Sequence, residues 1–199
     1  MRFSLSLTVS QAAAFQCLDL LSADDLVGLA MSWLEAGSAS PAIAMLAGET
    51  HPIMSDCAPI FERALQEESV ARPGRRTAAW IAIQTILDAG LRGEIKIEHC
   101  VVELMKNFHN GEFFLFPLQN PCDDPVAWAG EELGFQRLID PYHSFLSVKR
   151  DASEPSAELL NEMLEAAAWT RRNYYAALPD LDESVCDRAL YREALLRAE

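Results

Sequence analysis

Apolar positions three and four apart run through most of this chain, and polar punctuation divides them into helix-length segments. The clearest case is SADDLVGLAMSWLEAG, residues 22–37. Ser22 stands where its hydroxyl accepts from the free amides of a first turn, and Asp25 holds the capping-box position. Leu26, Leu29, Ala30, Trp33 and Leu34 follow at helical spacing, and Gly37 suits the left-handed residue that closes a helix. Ser40–Pro41 restarts the chain with a cap and a proline at the first helical position, and Ile43 and Leu46 carry a short helix to Gly48.

The same reading continues to the end. A third helix is predicted from Ser55 to Glu68, with Ile60, Phe61, Ala64 and Leu65 inward. TAAWIAIQTILDAGL, residues 77–91, is apolar on nearly every side and belongs in the middle of a bundle. Trp80, Ile83, Leu87 and Leu91 are its expected core face, and Trp80→Ala is expected to cost about 3–5 kcal/mol. Ile97, Cys100, Val101, Leu104 and Phe108 share a stripe that Asn110–Gly111 ends. Pro117 and Pro121 make 112–123 non-helical, a buried extended segment or short strand. Asp124–Pro125 then opens a helix over 126–139, with Trp128, Phe135, Leu138 and Ile139 inward.

A polar connector covers 147–155. A long helix follows over 156–178, with Leu160, Leu164, Ala167 and Tyr174 inward. Asp180 and Glu183 form another capping pair before a last helix that ends near Arg197. At the other end, Phe3, Leu5, Leu7 and Val9 alternate with Ser4, Ser6 and Thr8, which reads as an extended arm or edge strand over 1–10 rather than a signal peptide. The expected fold is therefore all-α: one helical domain over 1–199, a bundle of about seven to nine helices.

Charge narrows the function classes. Sixteen basic against 30 acidic residues leave a formal charge of −14, the wrong sign for a nucleic-acid footprint or an anionic membrane surface. No apolar run is long enough to span a bilayer. Cys17, Cys57, Cys100, Cys122 and Cys186 are odd in number and contain no C-x-x-C, so they make neither a disulfide framework nor a zinc site and suit a reducing, cytoplasmic setting.

Candidate chemistry is sparse. His99 and Glu103 share a helix face, but no third ligand is spaced to complete a metal site, and a solvated polar stripe with Lys106 and Asn110 explains them. His51, His109 and His143 fall in no catalytic spacing, and no nucleophile elbow, phosphate loop, dinucleotide fingerprint or H-E-x-x-H occurs. No catalytic residue, cofactor or metal is assigned. Phe108, Phe113, Phe114 and Phe116 are expected to fill the core, and Arg72, Arg75 and Arg76 to pair with the chain's own carboxylates. The residues left for a partner are Asn120, Asp123, Asp124, Glu131 and Glu132, together with Asp180, Asp182 and Glu183 near the C-terminus.

Several segments carry a resemblance. WLEAGSASPAIAMLAG at 33–48, FERALQE at 61–67, ILDAGLRGEI at 86–95 and DPVAWAGEELGFQRLID at 124–140 resemble a loosely defined group of small bacterial all-helical proteins of unassigned activity. The likeness spans 33–170 and consists of helix ends and core positions. It implies a helical fold and a bacterial cytoplasmic setting, and it brings no catalytic residues. Some members of that group stand beside secreted toxins and look like immunity partners. The functional expectation is a non-enzymatic acidic protein-binding module, most specifically an immunity-type inhibitor that masks a basic toxin surface. The alternatives are a helical-bundle enzyme or metal-binding protein, and a structural assembly subunit.

Overall fold

The computed structural model describes residues 5–109, 134–151 and 153–177. Among them the chain is all-helical, with eight α-helices, one π turn and no strand, which is compatible with the single-domain helical bundle expected from the sequence. Two compact units divide it at Ala82/Ile83, inside α5.

The first unit opens on an extended arm. Leu5 and Leu7 are buried while Ser6 and Thr8 are exposed, so the alternation is real. It stops sooner than expected, and the arm is not a strand. Val9–Cys17 forms α1, which the sequence reading had placed partly in the arm. Thr8 accepts from the Gln11 amide and the Gln11 side chain answers the Thr8 amide, a reciprocal cap that decides the helix start against the β-like alternation. The buried Trp33 indole donates to the Leu7 carbonyl at 2.7 Å and so satisfies the arm's backbone.

α2 (Ala23–Glu35) has the Ser22–Asp25 capping box predicted for it, with the Asp25 carboxylate on the Ser22 amide at 2.9 Å. It ends on Gly37 at φ 96°, where the amides of Gly37 and Ser38 reach back to Leu34 and Trp33. Leu26, Leu29, Ala30 and Trp33 are buried as expected, and Leu34 is half-buried. α3 (Pro41–Ala47) starts at Ser40 with proline at its first position and buries Ile43 and Leu46. α4 (Met54–Glu67) buries Cys57, Phe61, Ala64 and Leu65 and leaves Ile60 half-buried. Trp33 and Phe61 stack with centroids 6.1 Å apart. α2, α3 and α4 pack on one another, and α1 packs on α4.

α5 (Arg75–Leu91) buries Ala78, Ala79, Ala82, Ile83, Ile86, Leu87 and Ala89. Trp80 and Leu91 are only half-buried, against the expected core face. Alanines supply the closest-packed positions of this helix, so bulk alone misassigned the face. The cost of Trp80→Ala falls below the value a fully enclosed tryptophan would give.

The second unit holds the end of α5, then α6 (Ile97–Leu104) and the π turn Met105–His109. α6 approaches α5 closely: a Cβ on Gly90 would lie 2.8 Å from Cys100 Cβ and Sγ. Cys100, Val101, Leu104 and Phe108 are buried as predicted, with Ile97 half-buried.

Two later expectations are corrected. The helix predicted over 126–139 cannot run through Gly134, which sits at φ 70°; α7 spans Gln136–Arg150 instead and continues past Pro141. It occupies the first half of the supposed connector, which begins only at Asp151. Leu138 and Phe135 are buried, and Ile139 is half-buried. α8 (Ala157–Asn173) has the cap at Ser156 that a start near 156 requires, but a different face is inward. Leu159, Met163, Ala166, Ala167 and Thr170 are buried, Leu160 is half-buried, and Leu164 is 41% exposed. Small residues let α8 close against its neighbours, so the packed stripe runs through Leu159, Met163, Ala166, Ala167 and Thr170, keeping Ala167 inward as expected but not Leu160 or Leu164. Tyr174 is half-buried and Tyr175 takes the buried place. α8 packs on α6 and α7. The 112–123 segment, Trp128 and the helix expected from Asp180 to Arg197 lie outside the described residues.

Candidate functional site

All eight residues nominated from the sequence for partner binding, Asn120, Asp123, Asp124, Glu131, Glu132, Asp180, Asp182 and Glu183, lie outside the described residues. So do Phe113, Phe114 and Phe116. Phe108 is buried, as expected of it. His99 is half-buried on α6, but Glu103 is buried and accepts from Asn107 Nδ2 at 2.9 Å. That corrects the reading of a wholly solvated stripe: the carboxylate turns inward and is bonded by the next turn. Among the described residues no group of three or more His, Cys, Asp or Glu side chains is placed to hold a metal ion. Arg72 pairs with Glu62 at 2.7 Å, as expected for the basic loop.

In the first unit two carboxylates at the end of α4 fasten the chain around the start of α3. Glu67, at the end of α4, accepts from Ser40 Oγ at 2.6 Å and from the Ala42 amide at 2.9 Å, closing the start of α3. The Ser40 hydroxyl, then the Ala42 amide, hold its carboxyl below the usual carboxylate range, with a smaller contribution from Arg63. Glu68 accepts from Ser38 Oγ at 2.6 Å.

The second unit builds something different. At the end of α8, Glu165, Ala168, Trp169 and Arg172 fall at helical spacing on one face, opposite the buried stripe. With Leu91 from the last turn of α5 and Arg137 from the first turn of α7, they line a recess of about 500 Å³. Arg137 lies over the Trp169 ring, its guanidinium carbon 4.3 Å from the centroid. Trp169 packs against Tyr174 at 5.7 Å, and Gln136 Nε2 donates to the Tyr174 hydroxyl at 2.9 Å.

The scaffold behind this face is held by long-range bonds. Arg171 grips Asp88 of α5 through two bonds of 2.7 and 3.1 Å and also donates to the Tyr175 carbonyl. Gln84 Nε2 donates to that same carbonyl at 3.0 Å. Tyr175 is fully buried, and burial raises its phenol well above the ordinary tyrosine range, so the hydroxyl stays neutral. Thr170 Oγ1 donates to the Gly134 carbonyl at 3.0 Å, fixing the entry to α7. Asp88 thereby neutralises Arg171. Among the described residues no carboxylate lies within ion-pairing distance of Arg137 or Arg172.

The sequence reading missed Arg137, Trp169 and Arg172. Its one available signal was the Trp-Thr-Arg-Arg run at 169–172, an aromatic beside two cations at a helix end, where cations also offset the negative end of the dipole. Arg137 gives no signal, because its place over Trp169 depends on packing 32 residues away. Comparison with protein-family models, with curated proteins and with solved structures gives no match for this chain. Fold and site therefore rest on the residues themselves.

Proposed function

We propose that this chain is a non-enzymatic protein-binding module whose anchor point is the Trp169 recess. The observation that carries the reading is the half-buried Trp169 with the Arg137 guanidinium over its ring, beside Arg172, which makes no ion pair among the described residues. Tryptophan, tyrosine and arginine in a partly enclosed pocket are the side chains that dominate protein interfaces, because each brings large contact area together with directional polar groups.

The finer form of the reading is an immunity-type inhibitor that masks a basic bacterial toxin in a reducing cytoplasm. Its support is the charge of −14 and the bias within it: residues 110–133 carry five carboxylates and no lysine or arginine. Such a bias accelerates encounter with a basic surface, while the recess sets the docked register. The free thiols Cys17, Cys57 and Cys100 agree with that compartment. No helix among the described residues is long and apolar enough to cross a membrane.

Co-expression with the product of the flanking gene tests this. Neutralisation of a toxic product is expected, with tight association that weakens as salt rises. Trp169→Ala is expected to weaken binding at least about tenfold, the effect of losing an interface anchor. Exchange of Asp123, Asp124, Glu131 and Glu132 for their amides is expected to slow association instead. A flanking product that is neither bound nor neutralised overturns the toxin reading, and binding indifferent to Trp169→Ala overturns the anchor.

A further inference from the structure

We infer that the recess on α8 is a site for a monoanionic carboxylate carried next to an apolar group; this deepens the binding reading above by naming the chemistry its anchor accepts. Three features define the chemistry. First, the charges facing the recess do not cancel: Arg137 and Arg172 stand against Glu165, while Arg171 is already neutralised by Asp88. Among the described residues one net positive charge remains, which matches a carboxylate and opposes a phosphate dianion, whose second charge would meet Glu165 uncompensated.

Second, the cation sits at an aromatic face. The Arg137 guanidinium carbon lies 4.3 Å from the Trp169 ring centroid, and a guanidinium carries a planar fork of N–H donors that matches a two-oxygen acceptor. Third, the rest of the lining is apolar. Leu91, Ala168 and the Trp169 ring would cover a hydrophobic group attached to the carboxylate, and a volume of about 500 Å³ admits a ring or a branched side chain. The ends of polypeptide chains with an apolar last residue, and free aromatic or aliphatic acids, share this chemistry.

The test uses the full chain and titrates N-acetylphenylalanine, its amide, inorganic phosphate, and a short peptide ending in phenylalanine with a free carboxylate. Binding is read from the Trp169 indole N–H resonance, assigned with Trp169→Phe. N-acetylphenylalanine is expected to bind about tenfold or more tightly than its amide, the ratio one charge-assisted contact supplies. Phosphate is expected to bind more weakly than the acid. Arg172→Gln is expected to remove about tenfold of the affinity for the acid without lowering the melting temperature, since Arg172 makes no ion pair among the described residues. Arg137→Lys, which keeps the charge and loses the planar fork, is expected to lose most of the preference for acid over amide.

Equal binding of acid and amide, tighter binding of phosphate, or indifference to Arg172→Gln overturns the inference. A peptide that binds more tightly than N-acetylphenylalanine supports the site and a chain end as its occupant. A peptide that binds more weakly supports the site with a small acid as occupant and counts against the protein-binding reading. Partner capture that depends on Trp169, in a protein that binds none of the acids, sinks this inference and leaves that reading intact.

Discussion

The two units secure their helix ends with a different balance of bonds. In the first, three of the four complete helices start on local caps, Thr8 with Gln11 before α1, Ser22 with Asp25 before α2, and Ser40 with the Ile43 amide before α3, where Glu67 adds a distant bond. In the second, Ser156 caps α8 locally, but α6 and α7 start without any side-chain cap. Its ends are held instead by Thr170 on Gly134, Arg171 on Asp88 and Gln84 on Tyr175, pairs 36, 83 and 91 residues apart. Local caps make each helix start a property of its own few residues. Distant bonds make each end conditional on the others, and they leave polar side chains such as Arg137 and Arg172 to face outward. The recess belongs to the unit built in the second way.

The strongest way to break this contrast is Gly134→Ala. A Cβ there would lie 2.3 Å from the Tyr174 ring, on a backbone at φ 70°. Overpacking and left-handed strain together should cost about 3 kcal/mol or more, measured by urea unfolding, with loss of the recess. A loss under about 1 kcal/mol, within the ordinary range for a single substitution, would show that the start of α7 is not held by that close approach.

Next comes the Arg171–Asp88 pair, partly shielded with side chains 22% and 31% exposed. Arg171→Met is expected to cost about 1–2 kcal/mol, because the bond is bidentate and serves the Tyr175 carbonyl as well. A double-mutant cycle with Asp88→Asn should show most of that as coupling between the two positions. Coupling near zero would mean that the ends of α5 and α8 are joined by apolar packing alone.

In the first unit, Ser22→Ala should cost about 1 kcal/mol and leave the rest of the fold unaffected, as a local cap predicts. The smallest effect is a pH dependence. Glu67 has a folded-state pKa below its unfolded value, so the unfolded chain binds the extra proton and stability rises with pH through that interval. The contribution is complete above the ordinary carboxylate range and is lost as pH falls through the lowered value. Glu67→Gln should therefore flatten the acid side of the stability profile, and an unchanged profile would remove Glu67 from the closure of α3.

This contrast also explains what was legible in the sequence. Ser22, Asp25, Gly37, Ser40 and Pro41 could be read because cap chemistry depends on neighbours within four residues. α1 was legible too, from Thr8 and Gln11, but the alternation at Leu5 and Leu7 masked it. The face of α8 and the turn at Gly134 were not legible. They depend on how closely small residues let helices approach, as Gly90 does against Cys100, and spacing along the chain does not encode that distance. The recess was hidden for the same reason: its two guanidiniums without an ion pair among the described residues come from helices separated by the 151–156 stretch.

The bond from Trp33 to Leu7 has a consequence for how much variation the arm tolerates. The acceptor is a main-chain carbonyl, which every amino acid possesses, so no replacement at position 7 can delete it. The lock is inscribed at Trp33 alone. Phenylalanine at 33 would keep a ring against Phe61 yet strand the carbonyl, and the arm would then be held by the burial of Leu5 and Leu7 without that bond and would open more readily than the helices beneath it.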